Sequence, residues 1–294
     1  MNTGQRTTVT KLEQRLTELP VLPVVLLELM RLDPRADDHY EQVSRLIARD
    51  PALATRVLRV ANSAEFSRGR VIVHLQGAIA QLGSVGCANL VIAESVVRVF
   101  APRHGWERAL WLHAIGVAVL AQALADSGLV PGADPPLCYL AGLLHDIGRF
   151  VLYLEAPEEL RAIDETAWTT PEELLTAEQR VCGFTHVELG FRAVSKWGLP
   201  PPLPLLIRHH HAVPPYAPEV GPATGAVIRA VGVADHLSVA SLQTGEWPAL
   251  SPATVTALGA RAFPLPGPAA AERDRVLAGA FAAVAGIVRE LGLG

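Results

Sequence analysis

Apolar residues along this chain recur at intervals of three and four far more often than they alternate, which predicts helices. Thr10 to Leu19 reads as a helix that stops at Pro20, and Leu22 to Leu32 as a second that Asp33-Pro34 ends. Asp37 or Asp38 can cap a helix running to Arg49. Asp50-Pro51 is a strong start: a capping carboxylate precedes a proline at the first helical position, where its missing N–H costs nothing. Leu53, Val57, Leu58 and Ala61 then line one face, and Asn62 ends it. Gly83-Ser84 separates two helices, with Ser84 expected to cap the second, which runs to about Phe100. Ala101 to Gly105 reads as a linker.

Beyond the linker the pattern predicts a long helix from about Trp106 to Asp126, a turn at Pro131–Pro136 and a short apolar helix from Leu137 to His145. Prolines 157, 171 and 200–204 mark further breaks. Residues 213–222 read as loop and 223–243 as a long apolar helix. A helix capped by Ser251, a Pro-Gly loop and an apolar helix from about Ala270 complete the tail. Arg70 to His74 is the one strand-like piece. The expectation is an all-α protein with an amino-terminal helical lobe (1–105), a helical-bundle lobe (106–250) and a helical tail (251–294).

Composition narrows the classes. The chain has 294 residues, half of them hydrophobic, and can bury a large core. No uninterrupted apolar run reaches the ~18 residues of a membrane span; the longest candidate, Val276 to Val288, is short and carries glycines. No secretory signal is visible at the amino terminus, so a cytoplasmic protein is expected. A net charge of −4 argues against nucleic acid as a partner, which needs clustered Lys and Arg. Cys87, Cys138 and Cys182 are odd in number and widely spaced, so buried reduced thiols are expected.

The chemistry concentrates in histidines and aspartates. Ala141-Gly-Leu-Leu-His-Asp-Ile-Gly-Arg149 sets His145 beside Asp146 at the end of an apolar helix. His113, His186, the run His209-His210-His211 and Asp235 fall in other segments that read as helix. A bundle whose helices each supply one inward ligand can build a metal centre. Nitrogen donors mixed with carboxylates suit iron, manganese or zinc better than magnesium or calcium. The three consecutive histidines cannot all be ligands from one helix, because neighbours there point about 100° apart. His74, His104 and His236 have no such setting and read as ordinary residues.

This pattern resembles the HD superfamily, whose H…HD…D residues hold metal ions for phosphoester hydrolysis. The matching residues are His113, His145-Asp146 and Asp235. His186, His210 and His211 resemble the extra ligands of members that carry two metals. In the first hundred residues, Leu19-Pro-Val-Leu-Pro23, Arg49-Asp-Pro-Ala-Leu53, Val57-Leu-Arg-Val-Ala-Asn-Ser63 and Ala78-Ile-Ala-Gln-Leu-Gly83 resemble the HDOD family. The resemblance runs from about Leu12 to Leu242. It implies a bacterial signal-transduction module, related to HD phosphohydrolases but in most members without their activity.

Two departures bear on catalysis. Hydrolases of the HD-GYP type carry Lys where this chain has Arg149, a permanent cation that can contact phosphate but cannot give up its proton. Their Gly-Tyr-Pro is replaced here by Ala212-Val-Pro-Pro-Tyr216. The reading is therefore a regulator that acts through contacts with other signalling proteins, possessing a retained divalent metal site and open to a small nucleotide ligand. The alternative is a metal-dependent phosphodiesterase acting on a cyclic dinucleotide or nucleotide, with Asp146 and Arg149 in its machinery. The final helix offers a homodimer contact.

Overall fold

A computed structural model describes residues 19–63, 66, 71–102, 105–166, 168–247 and 250–293. Among these no strand occurs, and 70% of the chain is helical, so the protein is all-α. The helix expected over Thr10 to Leu19 lies almost wholly outside the described residues.

Five helices form the amino-terminal group: α1 Val24–Met30, α2 His39–Ala48, α3 Pro51–Ala61, α4 Leu75–Leu82 and α5 Ser84–Val99. The other four pack on α5, which buries Cys87 to Ala93 as an almost unbroken run. Asp50 caps α3 as expected, its carboxylate accepting from the N–H groups of Ala52 and Leu53. Ser84 does not cap α5: Gly83 holds the cap position at φ 78°, and the Ser84 hydroxyl meets His39 Nδ1 at 2.9 Å. Asp38 holds the cap of α2 without bonding its backbone, because its carboxylate accepts from Gln42 Nε2.

The strand-like piece Arg70 to His74 forms no strand over its described part, residues 71–74. The Asn62 carboxamide takes the place of a partner strand. Its oxygen accepts from Ile72 N at 2.8 Å, and its Nδ2 donates to the carbonyls of Ile72 and Leu58 at 2.7 and 2.8 Å. One side chain thus satisfies both backbone groups of an extended residue, which a ladder would otherwise do.

The second group is built on α6 Gly105–Asp126, flanked by α7 Pro135–Leu144, α13 Pro222–Leu242 and α15 Gly267–Glu290. Between them run α8 Ile147–Glu155, α9 Pro157–Asp164, α10 Pro171–Val181, α11 His186–Lys196 and α12 Leu203–His209. Capping boxes start α10 at Thr170 and α11 at Thr185. Helix α14, Pro252–Ala262, is capped by Ser251, and α15 begins a few residues earlier than its apolar pattern suggests. Leu277, Phe281, Val284 and Val288 are among the buried residues of α15, which lies on α6 and α14.

One continuous apolar core joins the two groups. Trp111 on α6 stacks on Phe150 at 4.3 Å and donates from Nε1 to the Phe100 carbonyl. Trp197 donates to the Pro20 carbonyl and Arg31 to the Gly198 carbonyl, tying the amino-terminal segment to the end of α11. The three cysteines are buried, and burial pushes each thiol up to about 12.

Three helical stretches are nonetheless long and apolar enough to cross a membrane: Glu107–Asp126, Pro135–Glu155 and Pro222–Leu242. The bent pair α4–α5 also passes if it is taken as one span. Counting uninterrupted runs misses them, because Asp146, Arg229 and Asp235 break the runs without lowering the mean hydropathy much. Their most apolar windows are 67%, 83% and 61% buried, and these stretches enclose the histidines described below. Burial on several sides accounts for apolarity all round a helix.

Asn62→Ala removes three hydrogen bonds at a partly buried site and should cost about 2 kcal/mol. Urea unfolding of the two proteins side by side measures this. An unchanged midpoint would show that the clamp contributes nothing.

Candidate metal centre

All seven residues singled out in the sequence converge, and the way they do so departs from one ligand per helix interior. His113 and Asp235 do come from the middles of α6 and α13. His145 is the C-cap of α7 and Asp146 the N-cap of α8, so the pair forms a two-residue joint. His186 is the first residue of α11. Helix α12 ends at His209, with His210 at its C-cap and His211 in the turn beyond. Leaving the helix there lets two consecutive rings point the same way, with centroids 4.0 Å apart, which helical geometry would forbid. His209 stays outside the cluster, its Nε2 facing Glu219 at 3.4 Å.

Glycines allow the approach. A Cβ on Gly148 would lie 2.0 Å from the His186 carbonyl oxygen, and one on Gly142 would lie 2.7 Å from Ala118 Cα. The first brings α8 onto the start of α11, and the second brings α7 onto α6. Both crossings carry ligand candidates.

The donor atoms fall in two groups, each within 4.8 Å: Asp146, His186, His210 and His211 in one, and His113, His145 and Asp235 in the other. Asp146 lies between them. Its Oδ1 is 3.2 Å from His186 Nε2, 3.6 Å from His145 Nε2 and 3.8 Å from His210 Nε2, while Oδ2 is 3.8 Å from His113 Nε2. Asp235 Oδ1 is 3.3 Å from His113 Nε2, and Oδ2 is 3.8 Å from His211 Nδ1. All are buried except His211, which is partly so.

The opposite ring nitrogens set the tautomers. Nδ1 of His145 meets the Gly142 carbonyl at 2.7 Å, and Nδ1 of His210 meets the Ile207 carbonyl at 2.7 Å. His186 Nδ1 meets the Glu178 carboxylate at 2.8 Å. His113 Nδ1 meets Ser238 Oγ at 3.1 Å, and that hydroxyl donates onward to the His113 carbonyl. In the neutral rings four acceptors thus hold four Nδ1 protons, and the Nε2 lone pairs turn inward.

Those lone pairs meet head on. His113 and His145 have Nε2 atoms 3.1 Å apart, and His186 and His210 have theirs 3.3 Å apart. With the Nδ1 protons engaged, each contact is repulsive unless a proton or a metal cation lies between the nitrogens. Two nitrogens on one first-row ion, each about 2.0–2.1 Å from it, stand ~3 Å apart. His211 Nε2 is buried without a hydrogen-bond partner. The residues present therefore fit a metal ion.

The electrostatics agree. Burial alone would raise the Asp146 carboxyl, but His145, His186, Arg149 and His113 hold it well below the usual carboxylate range. Burial likewise opposes the charge on Asp235, and a hydrogen bond and the positive field of His113 overcome it, again lowering the pKa. Burial and neighbouring histidines lower His210 and bring His211 down to about 4, so both stay neutral and able to bind metal. His186 is the exception: burial opposes its charge, yet Glu178 and Asp146 prevail and raise it. A cation at its Nε2 would displace that proton, leaving Glu178 the one on Nδ1.

Sequence reasoning missed two supports. Glu178 is fully buried, and it also accepts from the His186 backbone N–H. In Pro171-Glu-Glu-Leu-Leu-Thr-Ala-Glu178 nothing separates it from its acidic neighbours. Ser238 falls three residues after Asp235, on the same face of α13, a spacing that could have pointed to it.

A helical bundle closed around an HD pair in this way defines a protein of the HD type. Residues 19–213 match the HDOD domain family, and the chain belongs to it. An uncharacterized protein of Treponema pallidum (strain Nichols) is 31% identical over 70% of this chain; the chain spans 40% of that relative's length. The crystal structure of an HDOD domain protein of unknown function from Geobacter sulfurreducens superposes with a TM-score of 0.66 at 25% identity, covering 95% of this chain and 97% of that one. A Shewanella amazonensis SB2B protein named "Putative phosphohydrolase" superposes with the same TM-score at 24% identity, over 96% of each chain, and shows the fold.

Glu178→Gln should weaken metal binding about 10- to 100-fold while leaving the helix content unchanged. Titration against a chromophoric chelator, alongside circular dichroism, checks both halves of that statement. Gly148→Ala, with its clash against the His186 backbone, should cost metal binding and soluble yield together; a soluble variant with wild-type affinity would contradict the packing argument.

Proposed function

We propose that this HDOD protein is a signal-transduction module that works through protein contacts and carries one or two divalent transition-metal ions, with a small nucleotide as a further ligand. Asp146, His186, His210 and His211 would hold one ion, and His113, His145 and Asp235 the other, with Asp146 shared. Iron, manganese and zinc suit this nitrogen-rich set. Such ions, when bound, acidify a bound water and offset phosphate charge.

The observation that favours the regulator over the hydrolase is the state of Arg149. Its side chain is only 6% exposed. Nη2 donates to Asp164 at 2.5 Å, Nη1 faces Asp146 Oδ2 at 3.7 Å, and the guanidinium sits 5.4 Å over the Trp168 ring. A cation committed to two carboxylates and an aromatic face is not presented to a substrate phosphate. Transition-state stabilisation needs charge already aimed at the developing negative oxygens. The centre is also narrow toward solvent. Its most exposed side chains are His211, Asp235 and His113, at 15%, 12% and 9%.

The second reading, a metal-dependent phosphodiesterase, is favoured by the retention of all seven donors. Metal analysis followed by a panel of cyclic dinucleotides and nucleotides separates the two. Wild type, Arg149→Lys and Asp146→Ala are compared with manganese, iron or zinc supplied. The expected result is metal bound to wild type, metal lost from Asp146→Ala, and no turnover by any of the three. Robust metal-dependent turnover by wild type, abolished in Asp146→Ala, overturns the regulator reading.

A further inference from the structure

Arg149 stands between the centre and the outside of the protein, and its bonding is lopsided. Outward, it makes a short hydrogen-bonded ion pair with Asp164, the last residue of α9, whose side chain is 35% exposed. Inward, it reaches Asp146 at 3.7 Å, close enough for an ion pair but too long for a hydrogen bond. Its Nε is buried and has no hydrogen-bond partner. A buried guanidinium with an unused donor and two carboxylates competing for it has two places to be. Asp146 is also divided: Oδ1 faces His145, His186 and His210, and Oδ2 faces Arg149 and His113.

We propose that Arg149 and Asp164 form a latch that reports cation occupancy of the histidine–aspartate centre to the corner between α9 and α10. The inference rests on the metal-bearing regulator reading above. A cation held on Asp146 offsets the carboxylate charge that draws Arg149 inward. It also repels the guanidinium directly. Both effects push Arg149 toward Asp164, tighten the end of α9 and fix Trp168, over which the guanidinium lies. Loss of the cation returns Arg149 to Asp146 and loosens the corner. Such a switch requires a differential contact: the outward pair with Asp164 is the one the structure shows, and the inward pair with Asp146 is the one the latch would form without the cation.

Hydrogen exchange of the full chain tests this, with manganese(II) alone as the probe against chelator-treated protein. Wild type should bind manganese and show slower exchange in two places: in the ligand-bearing helices α6, α11 and α13, and in residues 157–166 of the corner by about fivefold or more. In Asp164→Asn, which keeps the side-chain shape, manganese should still protect the ligand helices, but the corner should no longer respond. Trp168 gives an independent signal: the manganese-dependent emission change should disappear in both Trp168→Phe and Asp164→Asn. Manganese that binds and protects the ligand helices while leaving the corner unchanged overturns the latch and spares the metal centre. Corner protection that survives in Asp164→Asn likewise overturns the latch. Wild type that binds no manganese overturns the latch and the metal-bearing reading together.

Discussion

Asp146 is a buried carboxylate at a helix joint, and most of the second half of the fold exists in the form that keeps it there. An ionised carboxylate out of water is costly unless charge and hydrogen-bonding partners surround it. Here the partners come from five directions: His145 beside it, His113 on α6, His186 on α11, His210 at the end of α12, and Arg149 one turn on. Each direction demands that a helix end or crossing fall at one place. The glycines at 142 and 148 are what let α7 and α8 come that close to their neighbours.

The same constraint explains why the polar cluster coexists with so apolar a bundle. Helices long and apolar enough to serve as membrane spans form walls around imidazole rings. The walls exclude water, which strengthens every charge interaction inside. They also fix four of the five rings, because the Nδ1 atoms of His113, His145, His186 and His210 are tied to a carbonyl, a hydroxyl or a carboxylate. A centre held by so many rigid supports is suited to keeping an ion. Arg149, a permanent cation beside the centre, lies between Asp164 and Asp146 and is not presented to a substrate.

Much of this was legible in the chain. Local rules set the helix starts: Asp50-Pro51, Asp134-Pro135, Thr170-Pro171 and Ser251-Pro252 each place a capping oxygen before a proline at the first helical turn, and each side chain caps as its chemistry requires. The seven donors were legible as a set because histidines and aspartates in apolar segments are few and the HD pair is distinctive. Ser84 and Asp38 show the limit of local rules. Asp38 occupies the cap position and Ser84 falls one residue inside it, and a side-chain partner, Gln42 in one case and His39 in the other, takes the oxygen.

By itself the sequence determined the helical character, the order of the elements and the identity of the candidate donors, because caps, prolines and three-to-four periodicity act within a few residues. Tertiary structure alone decided the rest. The pairing of Glu178 with His186 crosses a loop, and the pairing of Ser238 with His113 spans 125 positions of chain; neither has a periodic signature. The inward turn of both His210 and His211 depends on where α12 unwinds. The capture of Arg149 by Asp164 and Trp168 turned a residue that could have met phosphate into an internal one. These are contacts between surfaces that meet only once the helices are packed, so the physics that sets them is long-range burial and charge balance rather than local propensity.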